Sequence, residues 1–116
     1  MPDYAAAKAA LINATSSLAK ALAGTGISVN AISPGLIATD GVERVLREAA
    51  RARGWGEDWS VIQKRWMMEE LRSDLVPRLG TVNEVADLVA FIASPRAGYV
   101  HGANVRVDGG LVPSIN

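Results

Sequence analysis

The chain has 116 residues, 49% of them hydrophobic and 21% charged, a make-up that suits one soluble globular domain at most. Twelve basic and twelve acidic residues cancel, which removes any broad electrostatic attraction to nucleic acid or to an anionic membrane. With no cysteine there is no disulfide framework, the single His101 cannot assemble a zinc site by itself, and the chain shows neither a secretory signal nor the apolar run of roughly 20 residues that a membrane span needs, so a cytoplasmic protein without metal is expected.

From residue 3 to about residue 23 the sequence is rich in Ala, Leu and Lys and stops at Gly24, which predicts a long helix. Its apolar positions spread around the cylinder and most are small, so the helix can approach a sheet or another helix closely. Tyr4 and Lys8 stand four residues apart near its start, a spacing that puts Cβ atoms on one face about 5–6 Å from each other. ISVNAIS, residues 27–33, predicts a strand closed by Pro34-Gly35. Helix, tight turn and strand make half of a parallel crossover unit.

From Gly41 onward Val42, Val45, Leu46, Ala49 and Ala50 recur at helical spacing, predicting an amphipathic helix that ends near Gly54. GWGEDWS reads as a loop, and VIQKRWMMEELRS, residues 61–73, as a third helix ahead of Pro77. Thr81-Val82-Asn83-Glu84 is a capping box that opens a fourth helix ending at Ser94-Pro95. NVRVD, residues 104–108, predicts a last strand terminated by Gly109-Gly110. Two short strands cannot fill a parallel sheet, which is normally buried on both faces and belongs to doubly wound α/β folds with several more strands. The chain is therefore expected to assemble with copies of itself or to be a piece of something longer.

Four stretches in order, Tyr4-x-x-x-Lys8, VNAISPGLIAT, RLGTVNEVADLVAFIAS and GANVRVDGG, resemble the C-terminal half of the short-chain dehydrogenase/reductase family, in the compact form similar to the oxoacyl-carrier-protein reductases. The resemblance covers most of the chain and is weakest at about residues 41–76. It implies a fold: the C-terminal half of a Rossmann-like, doubly wound parallel sheet, residues 1–116 forming a partial domain with residues 41–76 as a helical substrate lid. It also implies what is missing. The family's glycine-rich turn, its residue choosing NAD or NADP, its Asn-Ala-Gly stretch and its catalytic Ser lie upstream of the Tyr, so the chain is expected to be a fragment and Met1 an interior methionine.

The resemblance assigns roles. Interconverting a hydroxyl and a carbonyl requires a group that takes or gives the hydroxyl proton. Tyr4 would be that acid/base. A phenol ordinarily titrates near 10, and an adjacent ammonium favours its phenolate; Lys8 would supply that charge and also hold the nicotinamide ribose. Pro34, Gly35 and Ile37 would face the nicotinamide, with Ile37 backbone atoms on the carboxamide, and Thr39 would reach the carboxamide or the pyrophosphate. NAD or NADP is the implied cofactor of the complete protein, a small alcohol or carbonyl its substrate, and a homo-oligomer its state. Trp55, Trp59, Trp66, Met67 and Met68 in the lid suggest a bulky or apolar substrate, or simply packing of the lid. Asp108-Gly109-Gly110 reads as a structural turn, and His101 receives no role. The isolated chain is expected to be inactive, and the alternative is a non-enzymatic, oligomerising remnant or a truncated gene product that binds no dinucleotide.

Overall fold

The structure is a computed structural model that describes residues 2–72 and 75–113. In chain order it contains α1 (Pro2–Ala21), β1 (Ala31–Pro34), α2 (Asp40–Ala52), α3 (Trp59–Arg65), a π-helical turn (Trp66–Glu70), α4 (Val82–Ile92), a 3₁₀ turn (Pro95–Ala97) and β2 (Asn104–Val107). The residues divide into two compact units, Met1–Ser33 with Asp87–Arg106, and Pro34–Ala86 with Val107–Asn116. The boundary runs through both strands and through α4.

In the first unit, α1 carries Pro2 at its start, where a missing N–H costs nothing, with Asp3 in its first turn and Lys20 in its last, signs that suit the helix dipole. It ends two residues before the predicted position: Ala23 N–H and Thr25 N–H donate to the carbonyls three residues back, and Gly24 and Gly26 take positive φ. Ala19 is the one fully buried residue of α1, whereas Leu11 is 58% and Leu18 51% exposed.

The predicted strand over 27–33 is corrected to Ala31–Pro34. Opposite the residues that precede Ala31 the chain turns at Gly102, with φ near 69°. Gly102 N–H still donates to Val29 O, and side chains serve the rest of the backbone there. His101 Nδ1 accepts from Val29 N–H, and Asn30 donates to Val100 O and accepts from Ala103 N–H. The ladder begins at Ala31 N–H to Ala103 O (2.8 Å) and runs on to Gly35 N–H to Val107 O (3.1 Å), so the two strands are parallel. Pro34 fits inside β1 because residues 31 and 35 donate to the carbonyls of Ala103 and Val107 while the alternate positions face away.

The second unit holds the larger core, Leu46 and Ala50 from α2 with Ile62, Met67 and Leu79, flanked by Leu36, Ala38, Val42, Trp55, Trp59, Trp66 and Leu111. The predicted loop over residues 54–60 is shorter than expected, because Asp58 caps a helix: its Oδ1 accepts the N–H groups of Ser60 and Val61, so α3 starts at Trp59. The predicted helix over 61–73 changes to π-helical hydrogen bonding at Trp66–Glu70, and its predicted end at Ser73 lies outside the described residues. The Arg53 guanidinium sits 5.0 Å from the Trp55 ring and 5.1 Å from the Trp66 ring, and pairs with Glu70 at 3.0 Å. This cluster ties the end of α2 to the π-helical turn. The capping box forms as expected, Thr81 Oγ1 accepting from Glu84 N–H and Glu84 Oε2 from Thr81 N–H. Arg78 grips the same Glu84 carboxylate in a bidentate pair at 3.0 and 2.6 Å.

Candidate active site

Tyr4 and Lys8 stand on the first turns of α1, in the first unit. Helical spacing does what it should: Lys8 Nζ lies 5.5 Å from the centroid of the Tyr4 ring, an ammonium over an aromatic face. Tyr4 is 57% exposed. A tyrosine and a lysine in this arrangement offer one proton donor or acceptor and one fixed positive charge on a rigid mount.

Pro34, Gly35, Ile37 and Thr39 belong to the second unit, in the stretch that leaves β1 and enters α2. A side chain at position 35 would begin 2.8 Å from Asp108 Cα, so only glycine lets these two backbones pass. Ile37 forms a parallel bridge with Gly80. The bonds of that bridge are Ala38 N–H to Gly80 O (2.8 Å) and Gly80 N–H to Leu36 O (3.0 Å), which leaves the peptide groups of Ile37 facing the opposite edge. There the Ile37 carbonyl accepts Thr39 N–H at 2.9 Å, while its own N–H has no partner among the described residues. Thr39 caps α2: its Oγ1 accepts Val42 N–H at 3.3 Å, and the hydroxyl proton stays available to a further acceptor. Asp40 and Glu43 stand in that first turn, so negative charge already occupies the positive end of the helix.

Two features were not anticipated. The Asp58 cap was legible as an Asp two residues before a Ser at a helix start, and the Arg53–Trp55–Trp66–Glu70 cluster gave no local signal because its members meet only after α2, the loop and α3 have folded together. Among the described residues no group of three or more His, Cys, Asp and Glu is placed to hold a metal ion, and no helix is long and apolar enough to cross a membrane.

Parallel strands and a glycine-bearing turn leaving a strand's C-terminal end are elements of a Rossmann-like fold. The family model described as "Enoyl-(Acyl carrier protein) reductase" matches residues 1–112, and the chain belongs to this short-chain dehydrogenase/reductase family. It is similar to the short-chain reductase protein NovJ of Streptomyces niveus, 43% identical over 108 residues that make up 93% of this chain and 37% of that protein. It is also 38% identical to the 3-oxoacyl-[acyl-carrier-protein] reductase FabG of Haemophilus influenzae, over 94% of this chain and 38% of that one. Among solved structures, L-sorbose reductase from Gluconobacter frateurii, complexed with NADPH and L-sorbose, matches with a TM-score of 0.82 at 30% identity, covering 99% of this chain and 42% of that one. The chain thus spans about two fifths of the length of these relatives and carries part of their fold.

Proposed function

We propose that this chain contributes the proton-transferring and nicotinamide-facing part of an NAD- or NADP-dependent oxidoreductase that interconverts a hydroxyl and a carbonyl on a small molecule. The observation that carries this is Tyr4 with the Lys8 ammonium 5.5 Å from its ring, on one helix of a chain matched to the family over residues 1–112. A bound nicotinamide dinucleotide supplies the hydride acceptor or donor. Tyr4 takes the proton of the substrate hydroxyl in one direction and returns it in the other. Lys8 sets a positive charge beside the phenol and donates to the ribose hydroxyls. The Ile37 N–H, without a partner among the described residues, and the bridged geometry around Gly80 fit a role in holding a carboxamide. The Thr39 hydroxyl fits the same group better than a pyrophosphate, since Asp40 and Glu43 oppose an anion there. Residues 41–76 form the lid over the substrate in this reading, with Trp55, Trp59, Trp66, Met67 and Met68 packing it, and the location is cytoplasmic.

A second reading has its own support. Exposed Leu11 and Leu18 on α1, in a chain that spans about two fifths of its relatives, favour an isolated chain that self-associates, binds no dinucleotide and turns nothing over. The two are separated by calorimetric titration with NADH and NADPH of the 116-residue chain and of a chimera in which residues 1–112 replace the matching segment of the H. influenzae reductase. Binding by the chimera, weakened about tenfold or more by Lys8→Met as expected when a charged hydrogen bond is lost, supports the first. A chimera that folds, as judged by its thermal melt, and binds neither nucleotide would refute it.

A further inference from the structure

His101 is the only histidine of the chain and has no part in the chemistry above. Its ring bridges two backbones of the first unit. Nε2 lies 2.9 Å from the carbonyl oxygen of Ala19 in the last turns of α1, and Nδ1 lies 3.2 Å from the amide nitrogen of Val29, just before β1. A carbonyl can only accept and an amide N–H can only donate. Both contacts are hydrogen bonds in one protonation state alone, with the proton on Nε2 and a bare lone pair on Nδ1.

The surrounding bonds hold this geometry. Gly102 N–H donates to Val29 O at 2.8 Å, Ala103 N–H to Asn30 Oδ1 at 3.0 Å, and a Cβ on Gly102 would meet that of Ala19 at 3.3 Å. The loop carrying His101 is thus held against the chain entering β1 and lies close to α1. Its outer edge is exposed, so solvent protons reach it.

The charged and titratable groups of the unit are few. The cations are Lys8 and Lys20 on α1, Arg96 beside the same loop and Arg106 on β2; Tyr99 stands two residues away; the acids are Asp3, at the far end of α1, and Asp87 on α4. No ion pair engages His101 among the described residues, and residues 27–31 contribute no titratable group.

We propose that His101 is a proton-sensitive fastener: neutral, it ties the last turns of α1 to the chain entering β1, and a second proton, on Nδ1, sets N–H against the Val29 N–H and opens that tie. A long-range proton–nitrogen correlation spectrum of the isotope-labelled 116-residue chain near pH 8 reads the tautomer directly. Amide exchange then compares Val29 with Ala31, whose N–H bonds to Ala103 O and has no titratable partner. The expected result is a bare Nδ1, and a Val29 protection factor that falls several-fold more than that of Ala31 between about pH 8 and about pH 5. An Nδ1–H tautomer, or Val29 protection that tracks Ala31 throughout, would overturn the proposal, as would the same Val29 pH dependence persisting in His101→Gln.

Discussion

At Gly35 a side chain has nowhere to go: its first carbon would stand 2.8 Å from the Asp108 Cα and 2.9 Å from the Asp108 Cβ. Gly35→Ala is predicted to cost about 1–3 kcal/mol, the range for forcing atoms into a packed contact, read as a lowered denaturant midpoint at unchanged slope. Pro34-Gly35 was legible as the end of a strand, but the reason for glycine was not, because Asp108 arrives from the other end of the chain. Glu84 makes a pH prediction. The Arg78 guanidinium, and after it the Thr81 N–H, holds its carboxyl down to about 2 from an ordinary 4.5. A depressed carboxylate stabilises the fold fully above pH 4.5 and loses that contribution as pH falls toward 2. Glu84→Gln, which keeps the capping box, is therefore less stable than the parent at neutral pH, and thermal melts of the two should converge through that window. A gap that stays constant would remove the ion pair from the explanation.

Elements were read well where a local cause set their ends and poorly where a distant one did. The capping box placed α4, and the helical period of Val42, Leu46 and Ala50 placed α2, since both signals lie within the element. β1 begins later than its β-branched residues suggest because His101, Gly102 and Asn30 decide where pairing starts. The π-helical turn at Trp66–Glu70 was invisible, as nothing in WMMEE separates one helical bonding pattern from another. The segment around residues 59–70 is nonetheless anchored: Ile62 is 1% exposed at the centre of the second unit's core. Ile62→Ala is predicted to cost about 2–5 kcal/mol, the range for emptying a buried aliphatic site, measured by chemical denaturation. On α1 the opposite holds. If its exposed apolar residues drive self-association, as proposed, Leu11→Glu and Leu18→Glu shift the 116-residue chain toward monomer in sedimentation velocity; a parent chain that already sediments as a monomer would contradict this.

For the molecule as a whole, the order of four motifs carried more than any one of them. Tyr4 and Lys8 four residues apart are common on helix surfaces; followed by a strand closed with Pro-Gly, a capped helix and a terminal strand with Gly-Gly, they identify the family that the match over residues 1–112 shows. The scarcity of strands was legible too, and it agrees with a chain that spans 37–43% of the relatives' lengths. Substrate choice was not legible, and Trp55 and Trp66 are spent on each other and on Arg53.

The most direct test is turnover by the chimera built on the H. influenzae reductase, with NADPH and that enzyme's 3-oxoacyl substrate, comparing Tyr4 with Tyr4→Phe. Loss of turnover by about 100-fold or more, the scale of general acid–base catalysis, with an unchanged melting temperature and NADPH affinity, is the predicted result. Equal turnover by the two proteins would contradict the assignment of proton transfer to Tyr4 and, with it, the central claim.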